Sequence, residues 1–269
     1  MSLKIIVLAK QVPDTRNVGP DAMTPEGTVN RAALPAVFNP EDLNALEQAL
    51  RLKDANPGST ITMLTMGLPK AAEVLKEGIF RGADEGVLIS DRPLGGADTL
   101  ATSYTLAQAI KKIGDYDIII CGRQAIDGDT AQVGPQVAEK LGLTQITYTE
   151  EILSLDKDAK KIVAKRHIDG GVETVEGPLP IVVTVTGSAA PCRVRNVKRV
   201  WANKNREFPV WGAADIDADP AQIGKAGSPT NVKAVKNIVF KAKENKTLTA
   251  SDEDIDSLIK ELMDSNTIG

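Results

Sequence analysis

The sequence predicts an α/β fold: a mostly parallel sheet with helices on both faces, followed by a C-terminal arm. Three observations carry this. Short apolar runs of the kind found in strands covered on both sides recur along the first half of the chain. Amphipathic stretches of helical period separate them, and most end on a glycine. Aromatic residues make up only 3% of the 269, which suits layered aliphatic packing better than an aromatic-rich sandwich. A chain of this length buries most of its apolar surface without a metal or disulfide staple.

Taken in order, strands are expected at Leu3 to Ala9, Thr60 to Met66, Gly86 to Ser90 and Asp117 to Cys121. Asn39-Pro40-Glu41-Asp42 precedes Leu43, Leu46 and Leu50, giving an N-cap, a proline at the first helical position and acids in the first turn. Ala71, Leu75 and Ile79 mark one face of the next helix, closed by Gly82. Leu106, Ile110 and Ile113 mark another, closed by Gly114; Val133, Val137, Ala138 and Leu141 mark a fourth, stopped by Gly142. Repeated βα units of this length give a Rossmann-like layout, with the ligand crevice at the carboxyl ends of the strands.

From Ile146 to Ile168 two strand-like stretches flank the polar turn Asp156 to Lys160 and predict a hairpin; Leu179 to Val185 supplies one more buried strand. The core is expected to end near residue 190, so that residues 1–190 form one α/β domain. Residues 191–269 begin with a basic segment, Arg193, Arg195, Lys198, Arg199, Lys204 and Arg206, and finish with a helix over about Asp252 to Met263. Their apolar content is too sparse for a separate core, so they are expected to form an arm that wraps a partner.

A formal charge of −4 gives no global attraction to nucleic acid or to an anionic membrane. Cys121 and Cys192 lie far apart and belong to no close-spaced metal or redox motif, which leaves them as free thiols. Met1 to Ala9 lacks the layout of a signal peptide, no run reaches the roughly 18 apolar residues of a membrane span, and no Arg/Ser-rich presequence is visible. The expectation is a bacterial cytoplasmic protein. His167, the single histidine, has no second ligand or nucleophile near it in sequence, so neither a triad nor a zinc site is expected on it, and no catalytic side chain is assigned.

Chemistry concentrates in Cys121-Gly122-Arg123-Gln124-Ala125-Ile126-Asp127-Gly128-Asp129-Thr130-Ala131-Gln132-Val133-Gly134-Pro135, where a buried strand enters a glycine-bearing turn and then a helix. Unpaired amides at the helix start, near residues 130 to 133, suit a phosphate. Gly122 and Gly128 permit close backbone approach, and Thr130, Gln132 and Val133 offer a hydroxyl and amides. Asp127 and Asp129 would repel a phosphate; they are expected to cap the helix, bind ribose hydroxyls or pair with Arg123.

This segment resembles, almost residue for residue, the nucleotide-binding signature of the β subunit of electron-transferring flavoproteins. The resemblance extends to Val7-Leu8-Ala9-Lys10-Gln11-Val12-Pro13-Asp14, Asn39-Pro40, Thr65-Met66-Gly67 and Ile223-Gly224-Lys225-Ala226-Gly227-Ser228-Pro229-Thr230. It implies an adenine-nucleotide-hydrolase-like version of the Rossmann-like fold, with Asn39 lining an adenosine pocket and Ala9 and Met66 touching adenine or ribose. On the residues alone, Asn39 is equally a helix cap, and Ala9 and Met66 are core. Lys10 could meet phosphate or flavin, or be a solvated lysine.

Asp91, Arg92, Gly96, Asp98 and Thr99 fit the Asp-Arg-x-x-x-Gly-x-Asp-Thr pattern of the electron-bifurcating branch, whose β subunit holds an FAD. On the residues alone this is a loop with Asp98 as an N-cap. The branch resemblance favours FAD over the AMP of conventional members. It implies a heterodimer with an α subunit, NADH as transient donor, ferredoxin or flavodoxin as low-potential acceptor and an acyl-CoA-dehydrogenase-type partner met by the basic segment. A stand-alone adenine-nucleotide sensor remains a second reading, opposed by the long arm. An ATP pyrophosphatase is a third, opposed by Gly95-Gly96 following the third strand instead of the first.

Overall fold

The computed structural model describes residues 2–14, 35–230 and 246–268. The chain divides into two compact units, Met1–Lys233 and Ala234–Gly269.

The first unit is built on a nine-stranded sheet. Its strands are β1 (Lys4–Leu8), β4 (Thr60–Met66), β5 (Glu85–Ile89), β6 (Ile118–Gly122), β7 (Thr144–Asp156), β8 (Lys161–Ile168), β9 (Gly171–Pro178), β10 (Ile181–Val185) and β11 (Val210–Trp211). Their order across the sheet is β11-β5-β4-β1-β6-β10-β7-β8-β9. Every pairing from β11 to β7 is parallel; only β7–β8 and β8–β9 are antiparallel. A separate pair, β2 (Gln11–Pro13) and β3 (Ala36–Phe38), leads the chain antiparallel to itself from β1 toward the first helix.

Alternation along the strands divides the core into two layers, as the two-residue period of a strand dictates. Ile5, Val7, Ile118, Ile120, Ile181 and Val183 face α1 (Pro40–Ala55) and α2 (Ala72–Arg81). Ile6, Leu8, Ile119, Cys121 and Val182 face α3 (Thr99–Ile113) and α4 (Val133–Leu141). The expected α/β layout with helices on both faces is therefore the observed one. Three of the helices stop at the glycines read from the sequence: Gly82, Gly114 and Gly142 all have positive φ.

From β1 the chain winds outward through β4 to β5, then returns through α3 to β6 on the opposite side of β1. Strand order reverses between β1 and β6, and such a switch point opens a crevice outside the carboxyl ends. The residues that follow β1, β4 and β6 are Ala9, Gly67 and Arg123.

Two parts differ from expectation. The predicted hairpin is a three-stranded antiparallel extension, because Gly171–Pro178 adds a strand beside β8. The core does not end near residue 190 either; the first unit continues to Lys233. The short β11 pairs with β5, and Ile216 and Ile223 are buried in the α3/α4 layer, so the segment is carried by the sheet's edge and needs no core of its own. In the second unit, α6 (Asp252–Asp264) is capped by Ser251 and buries none of its side chains within the described residues.

Candidate functional site

The loop after β6 is tied down by three neighbouring side chains at the start of α1. Asn39, fully buried, donates from Nδ2 to the Gln124 carbonyl at 2.8 Å and accepts from the Ile126 amide at 3.2 Å. Glu41 accepts from the Gln124 amide at 3.0 Å and pairs with Arg123 at 2.9 Å. Asp42 accepts from the Lys10 amide at 2.8 Å through one oxygen and from the Gly122 amide at 2.9 Å through the other. The Asn39 side chain accepts from no backbone amide of its own helix. Its expected role as side-chain N-cap is thus replaced by bonds to a loop more than eighty residues away, while its carbonyl accepts from the Asp42 and Leu43 amides.

Asp42 is an acid in the wrong solvent. Burial pushes its carboxyl up to about 7 against two backbone amides, Asn39 and Lys10, all of which favour the charged form. Its nearness also adds to the burial that pushes the Cys121 thiol far above its ordinary range. Gly122 is required here for a packing reason: a Cβ would lie 2.4 Å from Asp42 Oδ1 and 2.8 Å from the Glu41 backbone. Gly134, at the start of α4, has a similar reason, since a Cβ would meet Thr184 Cγ2 at 2.6 Å.

Beyond Gln124 the loop turns on itself. The Gly128 and Asp129 amides donate to the Ala125 carbonyl, and Gln124 Nε2 donates to Asp129 Oδ1 at 2.8 Å. Asp127 pairs with Lys10 at 2.6 Å. The sequence left open a pairing of Asp127 or Asp129 with Arg123; the partner of Arg123 is Glu41, because the first turn of α1 lies beside the strand end and both aspartates lie further along the loop. Asp129 and Ala131 have φ near +50°, so the loop presents its backbone in an alternating left-handed arrangement before the helix begins. Such turns gather amides into an anion-binding concavity. Thr130 and Gln132 are exposed, Gly128 has open space where a side chain would be, and no side chain among the described residues caps α4.

A second strip of the rim joins this loop. Asp98 caps α3 through the Leu100 and Ala101 amides, as expected, and also accepts from Thr230. Ser228 Oγ accepts from the Asp98 amide at 2.8 Å and donates to the Gly224 carbonyl at 2.7 Å. Thr99 Oγ1 donates to Gln132 Oε1 at 2.9 Å. Three motifs far apart in sequence, residues 91–99, 122–133 and 224–230, therefore meet at one edge. Gly224 is indispensable to that meeting: its φ is +52°, and a Cβ would collide with the Pro93 carbonyl at 1.9 Å.

Ala9 follows β1 and Met66 ends β4 at the same rim, but Ala9 is buried in the α1/α2 layer and Met66 packs half-buried against the other. Of the basic segment, Arg193 pairs with Glu47 and Asp54, Arg195 with Glu77, and Arg199 donates to the Ile79 and Ala83 carbonyls. These arginines latch the segment to α1 and α2. What they leave outward is Val194, Val197 and Trp201, 85, 82 and 76% exposed, with Lys204 over the Trp201 ring at 4.3 Å; Val197 and Trp201 lie on α5 (Val197–Asn203). Sequence reasoning missed the loop-holding roles of Glu41 and Asp42, which it read as helix-start acids, and the packing of Tyr148 against Arg123, whose guanidinium carbon lies 5.6 Å from the ring centre.

The fold defines an open, mostly parallel α/β protein with a candidate site at the switch point. Residues 26–215 match the model of the electron transfer flavoprotein domain. The chain is 47% identical over 231 residues to the electron transfer flavoprotein subunit beta of Clostridium acetobutylicum, covering 86% of each chain. It is 46% identical to the subunit of the same name from Megasphaera elsdenii, covering 87% of each. It is also 44% identical over 230 residues to the caffeyl-CoA reductase-Etf complex subunit CarD of Acetobacterium woodii, covering 86% of each. The chain belongs to the electron transfer flavoprotein family, with the β subunits.

Proposed function

We propose that this chain is the FAD-binding β subunit of a bifurcating electron transfer flavoprotein. The observation that carries the reading is the junction of the three motifs. A mononucleotide such as AMP spans a shorter stretch of rim than a dinucleotide does. Here Thr99 reaches Gln132, and Asp98 gathers Ser228 and Thr230, which lengthens the rim along α3 in the way a dinucleotide requires. The residues fit such a group: uncapped amides at α4 and the left-handed Asp129 and Ala131 suit the diphosphate, and Lys10 meets the charge of Asp127 that would otherwise oppose it.

When bound, FAD supplies the chemistry of taking a hydride from NADH and passing its electrons on, one toward an FAD on the α subunit and one toward ferredoxin or flavodoxin. The chain's own residues hold and orient. Glu41, Asp42 and Asn39 fix the loop, and Gly122 leaves room for Asp42; Gly128, Thr130, Ala131, Gln132 and Val133 form the diphosphate seat; Lys10, Arg123 and Asp127 set local charge. Residues 191–269, with the exposed Val194, Val197 and Trp201 and the apolar side chains of α6, serve the α subunit and an acyl-CoA-dehydrogenase-type partner.

Replacing Thr130 and Gln132 together with leucine tests the seat. The complex should keep its circular dichroism and lose its nucleotide on gel filtration. Undiminished nucleotide content in the double variant would contradict the seat.

A further inference from the structure

Tyr148 stands in a place that its own chemistry does not favour. Its φ is +58°, a left-handed conformation that glycine and asparagine adopt readily and a bulky aromatic residue does not. The cause is a bulge: between the pairs Val183–Ile146 and Val185–Thr149, β7 carries Thr147 and Tyr148 opposite Thr184 alone. Thr184 Oγ1 accepts the Tyr148 amide at 3.2 Å, which stabilises the irregularity. The neighbouring Thr149 Oγ1 is buried with no hydrogen-bond partner among the described residues, a second local cost of the same feature.

Burial does not offset that cost, because Tyr148 remains 38% exposed. What the bulge achieves is an aim. The Arg123 guanidinium carbon lies 5.6 Å from the centre of the Tyr148 ring, while Glu41 pairs with the same guanidinium at 2.9 Å. Arg123 is the first residue after β6 and its amide is already fixed to the Val185 carbonyl at 2.8 Å. Strain concentrated on an exposed ring beside a ligand loop is the pattern of a functional constraint.

We propose that Tyr148 is a positioning residue of the nucleotide site, aimed by the β7 bulge so that its ring, together with Glu41, holds Arg123 and with it the start of the binding loop. The inference rests on the nucleotide-binding reading of that loop. A residue kept for packing and one kept for positioning respond differently to glycine, which relieves the left-handed strain and removes the ring.

The test uses the complex co-expressed with its α subunit, as wild type, Y148F and Y148G, with melting temperature and AMP and FAD dissociation constants measured on each. Y148F keeps the ring and loses only the hydroxyl's weaker contribution to Arg123, so it should bind more tightly than Y148G. Y148G should melt no lower than wild type yet bind about two- to fivefold more weakly, the span of an exposed cation–π contact. Y148G binding as tightly as wild type, or a lowered melting temperature with unchanged binding, overturns the positioning role alone. A wild-type complex that takes neither nucleotide overturns the underlying reading, whatever the variants do.

Discussion

Asp42 has both carboxylate oxygens occupied by backbone amides of residues 10 and 122, the ends of the two strands between which the crevice opens. Removing it as Asp42→Ala leaves two buried amides without an acceptor, at a cost of about 1–3 kcal/mol each. Its titration has a definite sign. Because burial raises its pKa from 3.8 to about 7, the folded protein retains a proton that the unfolded chain has lost across that window. Stability from this group is full below the lower value and falls as pH rises toward the upper one. Asp42→Asn removes that decline, so thermal melts should show a flatter dependence between about pH 4 and pH 7 in the variant than in wild type. Parallel profiles would refute the assignment. Glu47 runs the other way, held below its ordinary value by Arg193 against its own burial, and contributes stability that is lost on acidification. Gly122→Ala should cost about 1–3 kcal/mol by overpacking against Asp42 and the α1 backbone, read as a lowered denaturation midpoint.

Among the elements, the basic segment anchors itself to α1 and α2 and, in the proposed reading, also docks a partner, and the two jobs separate by residue. Arg193 is an anchor: its guanidinium bonds the largely buried Glu47 at 3.0 Å. Arg193→Ala should lower stability by about 1–3 kcal/mol, since it leaves that carboxylate only the longer 3.4 Å pairing with Arg51 and the amide of residue 193. Trp201, exposed on α5, should leave stability within about 0.5 kcal/mol when replaced by alanine. The same change should slow electron transfer to the proposed acyl-CoA-dehydrogenase-type partner at least tenfold if the ring is a docking hot spot. A stopped-flow assay beside a melt distinguishes the two residues, and a Trp201→Ala complex with unaltered transfer would remove α5 from the docking surface.

Elements of strong period are legible in the sequence itself. The four apolar runs form β1, β4, β5 and β6, and Gly82, Gly114 and Gly142 stop their helices, because continuous apolar runs and positive-φ glycines are local signals. β9 escapes such a reading because Val172 and Val175 are its only aliphatic residues between Gly171 and Pro178, so its pairing with β8 supplies what its composition does not signal. β11 escapes because two residues carry no period at all. Within the site, the cap Asp98 is readable from its own helix, whereas Asn39, Glu41 and Asp42 act on a loop eighty residues away, and spacing along a chain says nothing about such contacts.

At the scale of the whole molecule, the fold brings a switch-point crevice and a second glycine-bearing rim to one edge of a single sheet, and membership of the electron transfer flavoprotein family gives that edge its electron-transfer context. The central claim is that the extended rim holds a flavin on this chain in addition to the one on its partner subunit. Co-expression with the α subunit, followed by quantitation of released FAD and AMP per heterodimer, tests it most directly. The account predicts two FAD and no AMP; one FAD with one AMP would contradict it.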